Sequence, residues 1–162
     1  MPTDVPPTKP ISAREGARSA VEVRILGSMR EIPEAAWDAL DGVSEAPFLS
    51  WAWLDALERT RCVGEEAGWI PHHLTFWRGE ELLGAAPAYV KDNSEGEFVF
   101  DYAWASASHQ LGAPYYPKLV AAVPFTPATA RRLLTRRPED RPVLLPALAE
   151  ALRKVVAALG IS

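Results

Sequence analysis

The strongest constraint on the fold is a pair of strand-like runs separated by a tight turn. Residues of alternating character extend from His73 to Arg78, and a second run extends from Leu82 to Lys91. Between them, Gly79-Glu80 is typical of a turn. This pattern predicts an antiparallel hairpin. Because Gly84 and Pro87 interrupt the second run, we expect that strand to carry a bulge or to lie at an edge.

A third run of alternating residues follows a polar turn at positions 92–96. From Phe98 to Tyr102, aromatic residues alternate with Val99 and Asp101, which is the period of a half-buried strand. We therefore expect a three-stranded antiparallel meander. Its predicted core consists of four apolar side chains: Leu74, Phe76, Phe98 and Phe100.

The segments around this meander alternate between strand and helix patterns. In chain order they predict a strand at 21–25, helices at 33–40 and 44–58, a short helix at 103–111, a strand at 116–123 and a helix at 141–159. In the last helix, leucines and a valine recur on one face from Leu145 to Leu159. This order of elements indicates an α+β fold, a three-layer α/β/α domain with a mainly antiparallel sheet.

Composition divides the chain and excludes several classes of protein. Residues 1–20 are rich in proline and polar residues, so we interpret them as a disordered leader to a domain at residues 21–162. A net charge of −4 argues against a DNA-binding protein that relies on bulk charge. The longest uncharged apolar run, Leu82 to Val90, is shorter than the roughly 20 residues of a membrane span. Cys62 is the one cysteine and has no disulfide partner, so we expect a cytoplasmic protein.

Four motifs then resemble a known family. They are Pro47 to Glu58 (PFLSWAWLDALE), Phe98 to Ala105 (FVFDYAWA), Tyr115 to Leu119 (YYPKL) and Ala122 to Pro127 (AVPFTP). Together they resemble the FemAB-like bacterial family, described as peptidoglycan biosynthesis or recognition proteins and as GNAT-type N-acetyltransferases. The resemblance covers residues 44–160. It implies that residues 21–162 form a GNAT-like domain, incomplete at its C-terminus, equivalent to the N-terminal half of a longer enzyme.

The resemblance also implies a place for an activated acyl donor, either acyl-CoA or an aminoacyl-tRNA. In a GNAT fold the acyl-CoA arm lies at the splayed end of a strand, which corresponds here to Val123, Phe125 and Thr126. The donor phosphates would then lie near Arg131 and Arg132. These two belong to a cluster of five arginines and two acids between positions 131 and 141, and a solvated loop is the alternative interpretation.

Candidate catalytic residues are few. Asp101, His109 and Tyr116 are expected to form a polar pocket wall, in which His109 is able to move a proton near neutral pH. A loop histidine without a catalytic role is the alternative. His72 and His73 are adjacent on a predicted strand and point to opposite faces, so we expect no metal site.

These observations leave two hypotheses about function. The first is one half of an acyl or aminoacyl transferase acting on peptidoglycan precursors or peptides, inactive alone. The second is a non-catalytic module that recognises glycan or peptide through aromatic side chains. The candidate aromatic residues are Trp51, Trp53, Trp77 and Trp104. In either case an open sheet edge at 118–123 predicts a homodimer.

Overall fold

A computed structural model describes residues 20–97 and 99–161, so most of the predicted leader at residues 1–20 lies outside it. The helices are α1 (Glu34–Asp38), α2 (Trp51–Arg59), α3 (Tyr102–Gln110) and α4 (Arg141–Leu159). The strands are β1 (Glu22–Leu26), β2 (Trp69–Pro71), β3 (His73–Arg78), β4 (Glu81–Ala86), β5 (Tyr89–Lys91), β6 (Lys118–Val120) and β7 (Leu134–Thr135). The fold is α+β, as predicted.

The predicted hairpin is confirmed, and it connects two antiparallel sheets. In the half of the hairpin next to the turn at Gly79, β3 pairs with β4 in a four-stranded sheet of order β1-β3-β4-β7. In the half farther from this turn, β2 pairs with β5 in a three-stranded sheet of order β2-β5-β6. A hydrogen bond of 2.8 Å from the His72 N–H to the Ala88 carbonyl connects the two halves. One continuous hairpin therefore fixes the position of the smaller sheet relative to the larger one.

Apolar residues cover both faces of the four-stranded sheet. On one face, Trp77, Leu82 and Ala85 pack in a core with residues of the N-terminal helical segments, including Trp37 and Leu54. On the other face, α4 packs against a second group of sheet residues, which comprises Leu74, Phe76, Leu83 and Ala86. The result is a sheet between two helical layers.

A bulge in β4 confirms the interruption predicted at Gly84. Phe76 pairs with Gly84 and Trp77 pairs with Leu82, so Leu83 is an extra residue in β4. Helix α4 and strand β7 approach closely here. A Cβ atom on Gly84 would lie 2.7 Å from the Leu134 carbonyl oxygen and 2.8 Å from Leu144 Cδ1. Only glycine fits this position without displacement of a neighbour.

Helix α4 has the bounds predicted from the sequence, but its buried stripe is rotated. Leu144, Leu148, Ala151 and Val155 are buried, whereas Leu145 is exposed. Gly160 follows in the left-handed conformation and ends the helix. Among the described residues, no helix is long and apolar enough to cross a membrane.

The predicted third strand of the meander is wrong. Residues 99–101 form no strand, and Phe100 is 60% exposed instead of buried. Phe98 lies outside the described residues, while Leu74 and Phe76 are buried as predicted. The sheet neighbours of the hairpin are β1 and β7. Alternation of aromatic residues indicated a strand here, but no strand of either sheet pairs with this segment.

Replacement of Gly84 by alanine should lower the free energy of unfolding by about 1–3 kcal/mol, because the added methyl group overpacks the contact with α4. Urea denaturation measures this change. Gly27→Ala is the matched control, because a Cβ there meets only Glu31 Oε1 at 3.8 Å. Equal stability of the two variants would contradict the close packing of α4 against the bulge.

Candidate functional site

The candidate site is built on a row of three side chains across the smaller sheet. Trp69 of β2 pairs with Lys91 of β5, and Lys91 pairs with Lys118 of β6. Paired residues on neighbouring strands point to the same face. Lys91 Nζ lies 4.7 Å from the centre of the Trp69 ring, a cation–π contact. The Lys91 residue is 0% exposed.

Two lysines directly opposite each other repel, and a pair of carboxylates compensates for this. Glu97 Oε1 lies 3.0 Å from Lys118 Nζ and 3.6 Å from Lys91 Nζ. Asp101 forms a second ion pair with Lys118. Lys91 Nζ also donates to the Asn93 carbonyl oxygen. The two positive and two negative charges therefore neutralise each other within the site.

Tyr116 also donates a hydrogen bond to the Asp101 carboxylate. Its hydroxyl lies 2.7 Å from both carboxylate oxygens and 2.9 Å from Ser94 Oγ. Tyr115 lies beside it, with its ring 4.8 Å from Lys118 Nζ. Asp101, Tyr116, Lys91, Lys118 and Glu97, which we call the polar cluster, thus form one connected network.

The network shifts the pKa values of Asp101, Lys118 and Tyr116. Burial alone would raise the pKa of Asp101, but hydrogen bonds from Lys118 and Tyr116 hold it well below its usual range. Burial lowers the pKa of Lys118, yet Asp101 and Glu97 outweigh it and the pKa is raised. Burial also lowers the pKa of Lys91 despite the nearby acids. Asp101 is consequently ionised near neutral pH and is a weak proton acceptor.

The structure brings together two of the three predicted catalytic residues. Asp101 and Tyr116 are in contact, whereas His109 is exposed near the C-terminal end of α3. Eight residues of helix separate His109 from Asp101, a rise of about 12 Å. His109 is therefore too far along the helix to exchange a proton directly with Asp101.

The residues predicted to contact an acyl donor occupy three different environments. Val123 is buried in the core against the N-terminal helical segments. Thr126 Oγ1 accepts a hydrogen bond from the Ala128 N–H. Phe125 is 44% exposed and has a φ of 61°, which is strained for an aromatic residue. Its ring lies 5.8 Å from that of Trp69, at the border of the polar cluster.

The predicted arginines line a separate cavity of 570 Å³ at the N-terminal end of α4. Arg131 is paired with Asp41. Arg132 and Arg141 donate to backbone carbonyls, and no carboxylate among the described residues pairs with them. The nearby Arg136 and Arg137 are paired with acids and do not line this cavity.

The four tryptophans proposed for stacking do not form one surface. Trp77 is buried, and the Trp51 indole N–H donates to two backbone carbonyls in the core. Trp53 is exposed on α2. Trp104 is 72% exposed in the first turn of α3.

Exposed aromatic residues do flank the polar cluster. Phe100 and Tyr102 stack on each other with ring centres 5.3 Å apart, and both are exposed. They lie on either side of Asp101 in the chain. Every residue of α3 is exposed or half-buried, so the whole helix is accessible.

A second group of polar contacts surrounds Glu58 of α2, beside His73 at the start of β3. Glu58 of α2 accepts hydrogen bonds from Ser28 Oγ at 2.7 Å and from the Met29 N–H. His73 Nε2 lies 3.1 Å from Glu58. Burial raises the pKa of Glu58, but these hydrogen bonds outweigh it and the pKa is lowered. Among the described residues, no three His, Cys, Asp or Glu side chains are placed to hold a metal ion.

Sequence reasoning missed both lysines and Glu97. The available signal was Lys91 itself, a lysine that ends a strand of otherwise uncharged residues. A lysine at such a position needs a carboxylate partner when the strand is buried. The identity of that partner depends on how the loop at 92–101 folds back, which no local pattern determines.

Tyr116 should titrate later than an exposed tyrosine. Burial, together with the hydrogen bond to Asp101, raises its pKa to about 12, against an ordinary value of about 10. Because the folded-state pKa is raised, the stabilisation is present below about pH 10 and is lost as the pH rises through about 12.

Ultraviolet absorbance of tyrosinate measures this titration. We expect a component near pH 12 in the wild-type protein that is missing in Tyr116→Phe. Tyr102→Phe is the control, because Tyr102 is exposed. Loss of the late component in the control instead would contradict the assigned contact.

Comparison with known proteins places the chain in a family. A family model for FemAB-like proteins, described as peptidoglycan biosynthesis/recognition, matches residues 28–162. This range contains the whole polar cluster, the arginine-lined cavity and both layers of helices. No curated protein and no solved structure gave a significant match. Since the family model covers most of the chain, the protein belongs to the FemAB-like family of peptidoglycan biosynthesis and recognition proteins.

Proposed function

We propose that this protein recognises a peptide or glycan fragment of peptidoglycan at its aromatic face, which we define as residues 100–102 and 115–118. The observation that carries the proposal is the polar cluster flanked by exposed aromatic rings. The family links the chain to peptidoglycan. The aromatic face is the part of the described surface whose chemistry suits such a ligand.

The aromatic rings suit the sugar part. Sugar rings have apolar faces that pack on aromatic side chains, and Phe100 and Tyr102 are both exposed here. An exposed aromatic ring gains from burial against a ligand. Phe100 and Tyr102 are already stacked on each other, so little side-chain entropy remains to be lost on binding.

The polar cluster suits binding better than catalysis. Amines and carboxylates of a stem peptide have partners in Glu97 and Lys118, whose side chains are partly accessible at the edge of the cluster. A general base requires a pKa near the working pH. The pKa of Asp101 is shifted the other way, and Tyr116 holds its proton to about pH 12. The cluster is therefore a preorganised set of fixed charges.

Isothermal titration with a soluble disaccharide-peptide fragment of peptidoglycan tests this proposal. Phe100→Ala and Tyr102→Ala should each weaken binding by about 3- to 10-fold, the value of one aromatic contact. Trp53→Ala is the matched control, because Trp53 is an exposed tryptophan outside the aromatic face. No binding by the wild-type protein, or equal binding by all variants, would overturn the proposal.

A second candidate function is the acyl or aminoacyl transfer implied by the family resemblance, with this chain as one part of the enzyme. The cavity of 570 Å³ favours it, because its lining contains three arginines and one acid, Glu45, and Arg132 and Arg141 have no carboxylate partner among the described residues. Arginine side chains bind phosphates well. Acyl-CoA or an aminoacyl-tRNA would place its phosphates there, and the acceptor would lie at the aromatic face.

Titration with CoA at low salt tests this second candidate. Binding should be saturable, weaken as salt is added, and be lost in Arg132→Ala/Arg141→Ala. Arg136→Ala/Arg137→Ala removes the same charge outside the cavity and should bind as the wild type does. Equal loss in both double variants would show that general charge, and not this cavity, attracts CoA.

A further inference from the structure

Strand β1 is the end strand of the four-stranded sheet. It pairs with β3 on one side and has no neighbour on the other in the described chain. Val23 is 40% exposed and Ile25 is 50% exposed. Natural sheets protect such edges with proline, lysine or a bulge. Residues 22–26 contain no proline, lysine or bulge, and their charged side chains are Glu22 and Arg24, which carry opposite charges.

An apolar groove runs beside this edge, between β1 and α4. Its volume is 480 Å³. Val23 and Ile25 form one wall, and small residues of α4, such as Ala147 and Ala158, form the other. Glu150 and Lys154 stand at its rim, one helical turn apart. The edge and the groove together form one accessible surface that is apolar in the middle and charged at its border.

We propose that a second copy of this chain covers this surface, with the two β1 strands paired antiparallel. The pairing joins two four-stranded sheets across a two-fold axis. An axis perpendicular to the sheet keeps each face on its own side, so the α4 helices of the two copies meet on the same face. The alanines of α4 allow these helices to approach closely.

The charges on β1 select one register. When Val23 lies opposite Val23 of the second copy, Glu22 lies opposite Arg24 of that copy, and this occurs twice. A shift by one residue in each copy places Arg24 opposite Arg24 or Glu22 opposite Glu22, and like charges directly opposite are destabilising. In the favoured register, Val21 lies opposite Ile25 of the second copy. The strand is thus complementary to itself in both charge and apolar character.

The backbone of β1 is consistent with this register. Thr75 Oγ1 donates to the Arg24 carbonyl oxygen, so the Arg24 carbonyl points towards β3. The backbone groups of Val23 and Ile25 then point towards the open edge, because these directions alternate along a strand. A self-paired Val23 would form the central hydrogen-bonded pair.

The edge at β6 is a poorer interface, although the sequence predicted a dimer there. Strand β6 has three residues, and Pro117 precedes it. Lys118 is committed to the polar cluster. A dimer through β6 would also lie close to the aromatic face, whereas one through β1 leaves that face open.

Charge reversal tests the proposal directly. Glu22→Arg and Arg24→Glu should each be monomeric in a dilution series followed by size-exclusion chromatography with light scattering, at concentrations where the wild type is a dimer. Mixed together, the two variants should form a heterodimer, because each Arg then faces a Glu of the other copy. The ion pair between Glu22 and Arg24 within one chain does not predict this rescue.

Two further variants complete the test. Val23→Lys should weaken self-association at least about 10-fold, since it places two lysines opposite each other. Val120→Lys on β6 is the control and should leave the dimer intact. The unfolding temperature of each variant shows that it is folded. A monomeric wild type, a failed rescue in the mixture, or a dimer lost only in Val120→Lys would overturn the proposal.

Discussion

The smaller sheet and the site that it carries depend on the burial of Lys91. An amino group without solvent is stabilised only when carboxylates, carbonyls or aromatic faces replace its water. Here Glu97, the Asn93 carbonyl and the Trp69 ring do so. Because Glu97 belongs to the loop after β5, this requirement folds the loop back over the sheet. Asp101 follows in the same segment and so reaches Lys118 and Tyr116.

The same constraint explains why the aromatic face is exposed. Once Asp101 is fixed in the polar cluster, Phe100 and Tyr102 on either side of it point away from the core and stack on each other. Helix α3 begins at this point and has no buried residue. The smaller sheet therefore holds the exposed segment at residues 99–102 in place through the ion pair between Lys118 and Asp101. This combination of rigidity and exposure is what a recognition surface requires.

The sequence was most informative where one local rule dominates. The bounds of α4 follow from its apolar period and Gly160, and the hairpin follows from alternation around Gly79. It was misleading at residues 98–102, where aromatic alternation indicates a strand but Phe100 is exposed. The pairing of β7 with β4 involves two residues, too few for a pattern. For the site, Asp101 and Tyr116 were predicted, but their lysine partners depend on cross-strand register, which is a long-range property.

The most direct test of recognition at the aromatic face is a map of backbone amide chemical shifts during titration with a soluble disaccharide-peptide fragment of peptidoglycan. The account predicts that the largest changes fall at residues 99–102 and 115–118, with smaller changes at Lys91 and Glu97. Residues of α2 and of the arginine-lined cavity should remain unchanged. Changes centred on residues 128–148, or no saturable change at the aromatic face, would contradict the account.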